Sequence, residues 1–409
     1  MQKIIIHSDL NNFFASVEAL KKPWLKDVPM AVAGDSEQRH GVILAKNIHA
    51  ARYGVKTAEP LWSAFQKCPQ LITVPPSHDE YIIISDKVRK IYCSYSDKVE
   101  SFGIDECWLD ISHIAKDFNE GKLIADEIRE KIRSEIGITA SCGVSFTKTF
   151  AKLGSDLKKP DATTVIPDDK FKDIIWKLPA ESMLFVGKST KKQLEKMNIC
   201  SIGDIASTPL QTLEFVLGKN GTALWQAANG TDSSTVQNVD FKSTIKSVGN
   251  STTTPHDLVQ EDEVRIVLWS LAESVSSRLR RLGLVCDTVQ IYVRDNELNS
   301  FERQKKLPFP NRTVNSIFNT ALELYLENHD TEKPTRSIGI RAVGICDDTT
   351  QQLSLHPSTP EIQKKECVDV ITDTLRKQYG KAKLVRGIML VENELTKTDI
   401  DDDSLNFTK

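Results

Sequence analysis

The chain has 409 residues, 40% of them hydrophobic and 27% charged, and its 53 basic and 56 acidic side chains leave a net charge of -3. Single hydrophobic cores stop growing near roughly 250–300 residues, so this length calls for more than one domain, and the composition excludes a disordered, collagen-like or disulfide-dense chain. Near-neutral charge also excludes nucleic-acid binding by bulk basicity; a surface for a polyanion requires basic residues segregated onto one face. The eight cysteines form no C-x-x-C pair and meet no histidine cluster at zinc spacing, which reads as free thiols in a reducing compartment. No apolar run approaches the roughly 18 residues of a membrane span and no signal-like segment opens the sequence, so a cytoplasmic protein with no membrane association is expected.

Ile4-Ile5-Ile6 is a short β-branched run that predicts a buried strand, with His7-Ser8-Asp9 at its end. Phe13, Phe14, Val17 and Leu20 follow at helical spacing. Residues 29–33 and 41–45 read as short strands around a polar loop, and residues 47–69 contain helix with a glycine stop. Tyr81, Ile84, Val88, Ile91 and Tyr92 predict a helix over 78–94. It leads into S-F-G-I-D-E-C-W-L-D-I-S, residues 101–112, where Asp105 and Glu106 sit between apolar neighbours on both sides. An unpaired charge buried in such a run would cost several kcal/mol, so the acids need a cation, a strong hydrogen-bond set or a solvent-facing turn. Successive strand residues point to opposite faces, so a shared site needs a bend at the pair and a third ligand. Asp9, at the end of another buried strand, offers that ligand. Carboxylates at strand ends present the hard oxygens that Mg²⁺ takes while leaving other positions to water and phosphate. Asp9, Asp105 and Glu106 therefore suit a two-metal phosphoryl- or nucleotidyl-transfer site; an exposed hairpin tip with merely solvated acids is the alternative.

A helix over 122–136 and a strand over 139–144 continue the alternation, which fits a mixed sheet covered by helices on one face. Residues 145–160 then present Lys148, Lys152, Lys158 and Lys159 on a helix ended by Pro160. From residue 178 the helices shorten, and residues 185–206 resemble a helix-hairpin-helix whose backbone amides bind a DNA phosphate, with Gly187-Lys188-Ser189 in place of the commoner G-x-G turn. The Gly-Lys-Ser string is not a P-loop, because the first glycine of that motif would fall on Ser182. Residues 229–243 read as a linker. Beyond it, strand-like alternation over 243–254, 288–294, 300–307 and 337–345, with amphipathic helices over 261–282 and 314–326, gives a β-α-β-β-α-β order and a four-stranded sheet. Lys246, Arg278, Arg280, Arg281, Arg294, Arg303, Lys305, Lys306 and Arg341 are its expected exposed basic residues. A helix over 361–379, a short strand over 384–390 and an acidic, solvated end follow.

D-L-N-N-F-F-A-S-V-E (residues 9–18) followed by S-F-G-I-D-E-C-W-L-D (residues 101–110) resembles the two signature motifs of the Y-family translesion DNA polymerases, in the DNA polymerase IV branch, and the resemblance extends over roughly residues 1–348. It implies an α+β multidomain right-hand polymerase: a palm (1–20 and 77–166), small fingers (21–76), a helical thumb (167–230), a linker (231–245), a DNA-binding little-finger domain (246–348) and a tail (349–409). It further implies low-fidelity, template-directed addition of deoxynucleotides to a primer 3′ end, with two Mg²⁺ ions for which Mn²⁺ can substitute. The metals would be held by Asp9, Asp105, Glu106 and the Leu10 carbonyl. Phe14 would be the steric gate against a ribose 2′-hydroxyl, with Asn12, Phe13, Arg52, Lys152 and Lys159 around the triphosphate. Ile48 and Ala51 stand where the family commonly has a tyrosine and a basic residue, and Asn12 where it frequently has an aromatic. Gly187, Lys188, Lys246, Arg294, Arg303, Lys305 and Arg341 would contact primer–template DNA.

Gln352-Leu353-Ser354-Leu355-His356 is similar to the bacterial sliding-clamp peptide, with His356 replacing the final aromatic, so Gln352, Leu353 and Leu355 are expected to bind a clamp. The partners implied are primer–template DNA, deoxynucleoside triphosphates and the clamp, with the chain itself a monomer. Two readings compete: a non-catalytic or weakly active DNA-binding factor recruited by the clamp, motivated by Asn12, Ile48 and Ala51, and a nucleotide cyclase, which would need neither a thumb nor a basic C-terminal domain.

Overall fold

The computed structural model describes residues 2–36, 39, 41–241, 243–330, 332–348, 359–380, 383–390 and 395. The chain divides into two compact units, the first made of Met1–Ala33 with Ile43–Lys242 and the second of Gly34–Val42 with Ser243–Lys409. In chain order the first unit runs β1 (Ile5–Leu10), α1 (Phe13–Lys21), β2 (Met30–Ala33), β3 (Ile43–Lys46), α2 (Ile48–Arg52), α3 (Leu61–Lys67), β4 (Ile72–Val74), α4 (His78–Cys93), β5 (Val99–Ser101) and β6 (Glu106–Asp110). It continues through α5 (Phe118–Lys131), β7 (Ala140–Ser145), α6 (Lys148–Leu157), β8 (Thr163–Ile166), α7 (Phe171–Ile175), α8 (Lys188–Lys196), α9 (Ile202–Ser207), α10 (Leu210–Leu217) and α11 (Lys219–Ala228).

The main sheet has the order β5-β6-β1-β7-β8, which puts β1 at its centre with all six residues buried. Alternation along β1 divides the strand between two layers. Ile4 and Ile6 join Val88 of α4 and Ala125 and Ile128 of α5 in one core, while Ile5 packs with Trp108 and with Ala151 of α6 on the other side. The sheet is therefore covered on both faces, not on one as the sequence pattern implied, because a central strand buried along its whole length has no face to give to water. Close seating of α6 depends on Gly143 of β7, whose position a Cβ would share with the backbone of Ala151, Gly154 and Ser155.

A smaller sheet, β3-β2-β4, has its own core of Ala31, Ile43, Ala50 and Val55. Asn47 fastens it: its side chain caps α2 through the Ala50 N–H at 3.0 Å, accepts from the Met30 N–H at 3.2 Å and donates to the Val28 carbonyl at 2.7 Å. The helices from α7 to α11 close a third core around Ile175, Leu194, Ile202 and Leu213, joined by Phe150 and Leu153 of α6. The segment expected as a linker is pinned to the first unit: Val236 is buried, the Gln237 N–H donates to Glu100 at 3.0 Å and the Val239 N–H to the Asp97 carbonyl at 2.9 Å.

The second unit carries β9 (Ser247–Leu258), α12 (Glu261–Leu282), β10 (Leu284–Asp295), β11 (Ser300–Asn311), α13 (Val314–Asn328), β12 (Thr335–Asp347) and α14 (Thr359–Tyr379). The sheet order is β11-β10-β12-β9, the expected β-α-β-β-α-β arrangement, and α12 and α13 meet through a Trp269–Phe318 stack at 3.7 Å. Ion pairs attach α14 to this layer, including Arg280–Asp373 and Arg312–Glu366, both at 2.7 Å, and Arg376–Glu273 at 2.8 Å. Arg278 and Arg280 are thus not exposed: Arg278 is buried and donates to the Gly249 carbonyl at 2.9 Å, and Arg280 is held by α14. The expected strand over 384–390 is instead a 3-10 turn at Gly387–Leu390. Gln352, Leu353 and Leu355, together with the acidic end, lie outside the described residues. All eight cysteines are free thiols, and no described helix is long and apolar enough to cross a membrane.

Candidate active site

Asp9, the penultimate residue of β1, lies directly across the ladder from Glu106, the first residue of β6. Direct partners in an antiparallel ladder send their side chains to the same face, so these two carboxylates meet on the α6 side of the sheet. Asp105 precedes β6 in the hairpin returning from β5, where Gly103 takes φ 84° and the Asp105 carbonyl accepts the Leu10 N–H at 3.0 Å. That turn is the bend that brings two consecutive acids to one strand end.

Lysines on and just after α6 balance these acids. Lys159 Nζ donates to Asp9 Oδ2 and to Asp156, each at 2.7 Å, and Lys152 pairs with Glu106. His7, fully buried, shares a 2.8 Å hydrogen bond with Ser155 Oγ through Nδ1, and its Nε2 faces Glu106 Oε2 at 3.2 Å. Burial lowers the His7 pKa and so favours the neutral ring. Burial raises Asp9 against the opposing charge of Lys159. Asp105 is pushed up to about 6, by burial first and then by the charges of Asp9 and Glu106. Burial acts on Glu106 in the same direction, but His7 and Lys152 outweigh it and hold the carboxyl at about 2.

Among the described residues no three acid, histidine or cysteine side chains already converge as a metal cage, because Asp9 and Glu106 are turned onto lysine ammonium groups. The donor set nonetheless fits a hard divalent ion. It offers carboxylate oxygens and no soft ligand, the lysines stand as cations beside two of the acids, and Asp105, raised by burial first and then by the charges of Asp9 and Glu106, is a carboxyl that a dication would hold ionised.

Around this centre the expected nucleotide residues separate. Phe14 is half-buried and stacks on Tyr81 at 4.2 Å with an 11° interplanar angle, while the Tyr81 hydroxyl donates to Glu18 at 2.7 Å. Phe13 is core, 3% exposed. Asn12 is exposed at φ 50° between β1 and α1, a left-handed position that asparagine tolerates. Arg52 is exposed at the end of α2, and Ile48 is exposed at its start. The sequence placed Tyr81 only as a helix position and His7 only near a strand end, and gave neither a role at the site; Asn47 was not singled out, although an N-cap residue before a helix is a signal for it.

The expected DNA residues also divide. Gly187 caps α8 and Lys188 opens it, both exposed, but the left-handed residue of this turn is Phe185 at φ 69°, outside the Gly187-Lys188-Ser189 string. In the second unit Arg341 lies opposite Gln290, and Arg294 opposite Ser300 and Ser337, on the face away from the helices; Lys246 is exposed just before β9. Arg303 and Lys305 pair with the buried Ile291 and Val289, so register turns them to the helix side, where Arg303 donates to Asn328 at 3.1 Å and Lys305 pairs with Glu323. On the open face Gly249, Ser251 and Gly339 floor a cleft of about 460 Å³ walled by Tyr292 and Arg341.

Carboxylates at adjacent strand ends, matched by lysines on and just after the helix across them, are the arrangement that a metal-dependent phosphoryl- or nucleotidyl-transfer centre uses. The impB/mucB/samB family matches residues 8–156, the C-terminal domain of that family matches residues 245–355, and a DNA polymerase-iota thumb domain matches residues 185–232. The chain is 46% identical to DNA polymerase IV of Acetivibrio thermocellus, over 97% of this chain and 100% of that one. It is 31% identical to DNA polymerase IV of Clostridium acetobutylicum (96% and 100% covered) and 34% identical to DNA polymerase IV 1 of Bacillus subtilis (97% and 95%). A Y-family DNA polymerase chimera of solved structure shares the fold at a TM-score of 0.75 and 24% identity, over 84% of this chain and 99% of that one. The chain belongs to the Y-family DNA polymerases, in the DNA polymerase IV branch.

Proposed function

We propose that the chain is a template-directed DNA polymerase of the low-fidelity translesion type. The observation that carries this is the pairing of Asp9 with Glu106 across β1 and β6, with Asp105 at the same strand end, in a chain of this family. In the reaction a primer 3′-hydroxyl attacks the α-phosphate of a deoxynucleoside triphosphate and pyrophosphate leaves. Divalent ions supply charge to the attacking and leaving oxygens when bound. Family membership implies that metal dependence in general; two Mg²⁺ ions, with Mn²⁺ as a substitute, are our specific assignment.

Asp9 and Asp105 would serve both ions, the Leu10 carbonyl would assist one, and Glu106 would serve the primer side. Lys159 and Lys152 already lie against Asp9 and Glu106, so their ammonium groups are within reach of a triphosphate there. That matters because Ile48 and Ala51 carry no donor for phosphate. Phe14, braced by Tyr81, would close the sugar site against a 2′-hydroxyl.

The five-stranded sheet and its helices are our palm, the three-stranded sheet the fingers, the helices from α7 to α11 the thumb and the four-stranded sheet the DNA-binding little finger. Lys246, Arg294, Arg341 and Lys188 would neutralise backbone phosphates without reading bases. We further assign docking to a sliding clamp through Gln352, Leu353 and Leu355, a monomeric state and a cytoplasmic location. The non-catalytic accessory reading is not favoured, since all three acids are retained at one strand end. Primer extension with a single primer–template and Mg²⁺ or Mn²⁺ is the test: incorporation directed by the template base is expected, and its absence with both metals would refute the assignment.

A further inference from the structure

The turn that carries Lys159 is fastened across the sheet from α6. Lys159, Pro160 and Asp161 lie between α6 and β8, and Asp161 takes a left-handed φ of 54°. Two arginines one helical turn apart hold its carboxylate. Arg129 of α5 donates to Oδ1 at 2.6 Å, and Arg133, in the π-turn Ile132–Ile136 that continues α5, pairs with Oδ2. Arg129 Nη2 also donates to the Asp161 carbonyl, its Nε to the Ala140 carbonyl at 3.2 Å, and its Nη1 to Asp126 at 2.9 Å and Thr163 at 3.3 Å. All five N–H donors of this planar group therefore have acceptors, and its side chain is only 14% exposed.

What Arg129 joins is the turn and the strand end of the acids. Ala140, whose carbonyl it holds, opens β7 opposite Leu10, and the next residue, Ser141, lies opposite Asp9. Asp161 is two residues from Lys159, whose Nζ reaches Asp9 at 2.7 Å. A lysine stem has four rotatable bonds, so the chain can place its ammonium group only by fixing the backbone it springs from. The clasp on Asp161 does that from a helix on the opposite face of the sheet.

From this geometry we infer that Arg129 and Asp161 are positioning residues for nucleotide binding, which hold the Lys159 backbone so that its ammonium group meets the triphosphate beside Asp9. The inference rests on the polymerase reading for the identity of the ligand. Neither residue touches that ligand; both act through Lys159. With the clasp removed, the turn is free to drift and the ammonium group gives up part of its charge-assisted contact.

The test uses the full chain on a primer ended in a dideoxynucleotide, so that the next deoxynucleoside triphosphate binds with Mg²⁺ without reacting and fluorescence titration gives its Kd. Asp161→Gly removes the carboxylate and suits the left-handed backbone, so its Tm should stay close to the wild type. Its triphosphate Kd is expected to rise about ten-fold, the loss of one charge-assisted hydrogen bond, with primer–template affinity unchanged. Asp161→Asn keeps an oxygen for Arg129 and should stay within about three-fold of the wild type. In a Lys159→Ala background Asp161→Gly should add no further loss, a coupling that a merely structural role does not give. Wild-type triphosphate affinity in Asp161→Gly, or an equal loss on top of Lys159→Ala, would overturn the inference. If Asp161→Gly melts early, Arg133→Met, on the more exposed side of the carboxylate, is judged by the same two outcomes. Failure of the wild type itself to bind a triphosphate and extend an ordinary primer would sink the polymerase reading, and the inference with it.

Discussion

Replacing Gly143 with alanine tests whether α6 is seated on the sheet as tightly as the site requires. A Cβ at this position would come within 2.5 Å of Ser155 N and 2.9 Å of Gly154 C, and closer still to the Ala151 carbonyl, where ordinary contact begins at 3.4 Å. All three obstacles are backbone, so no side chain can swing aside and the helix must retreat by about 1.5 Å to restore ordinary contact with the nearest of them. Overpacking of this kind costs about 1–3 kcal/mol, and in a unit of this size Tm should fall by about 2–12 °C. The same displacement moves Lys152 and the approach to Lys159, and a misplacement of about 1 Å near reacting groups costs on the order of a hundred-fold in rate. Gly154→Ala is the control on the facing helix. Its Cβ meets the Gly143 Cα at 3.1 Å and Ile166 Cδ1 at 3.3 Å, a few tenths too near, and alanine gains about 1 kcal/mol of helix propensity. Differential scanning calorimetry and single-nucleotide primer extension on the three proteins decide the matter. If Gly143→Ala melts and extends primers like the wild type, the close seating of α6 and its part in placing the lysines are both wrong.

Glu106→Gln, Asp105→Ala and Asp9→Asn should each abolish primer extension while leaving primer–template affinity within a few-fold, because the metal acids do not hold DNA; near-normal extension by any of them would remove that residue from the site. Phe14→Ala should admit ribonucleotides in a single-turnover assay without a large fall in deoxynucleotide incorporation, and unchanged sugar selectivity would unseat the Tyr81-braced ring as the gate. Arg341→Ala should weaken DNA binding and lower the salt slope by about 0.9, whereas Lys305→Ala, already paired with Glu323 on the helix side, should leave the slope alone. Asp204 completes a capping box with Ser201 at the start of α9, and the backbone N–H groups of Ser201 and Cys200 hold its pKa below the ordinary value. A depressed folded pKa contributes stability above the unfolded value and loses it as pH falls through the folded one, so Asp204→Asn should lower Tm at pH 7 and converge on the wild type in acid.

The acids were legible because they interrupt apolar runs, and a charge that survives among β-branched residues announces a partner. Both strands and their ends followed from that, as did the four long strands and two helices of the second unit, whose periodicity is sustained over a dozen residues. What escaped was set by relations between segments. Alternation marked two faces in β11 but could not say which face the helices cover, and one step of register decides whether Arg303 meets DNA or Asn328. Arg278 and Arg280 looked like surface charge until the Gly249 carbonyl and the acids of α14 enclosed them. The lysine–acid pairs of the active site join residues some 46 to 150 positions apart, beyond any local pattern. Phe185 was invisible for a different reason: nothing in a side chain's chemistry forecasts that its own backbone is left-handed.

The position of β1 has a kinetic consequence. A middle strand whose neighbours, Glu106 on one side and Ser141 on the other, bond it along its length, with hydrocarbon and helices over both surfaces, opens only when the whole unit does. Its amides should therefore exchange with deuterium last, while the small β3-β2-β4 sheet, closed over a handful of alanines and short aliphatics, exchanges early by opening on its own. On our assignment of Asp9 to the metal site and of the small sheet to the fingers, the aspartate would outlive every partial excursion of the parts that handle the nucleotide, so the enzyme could breathe at its substrate without dissolving its reaction centre.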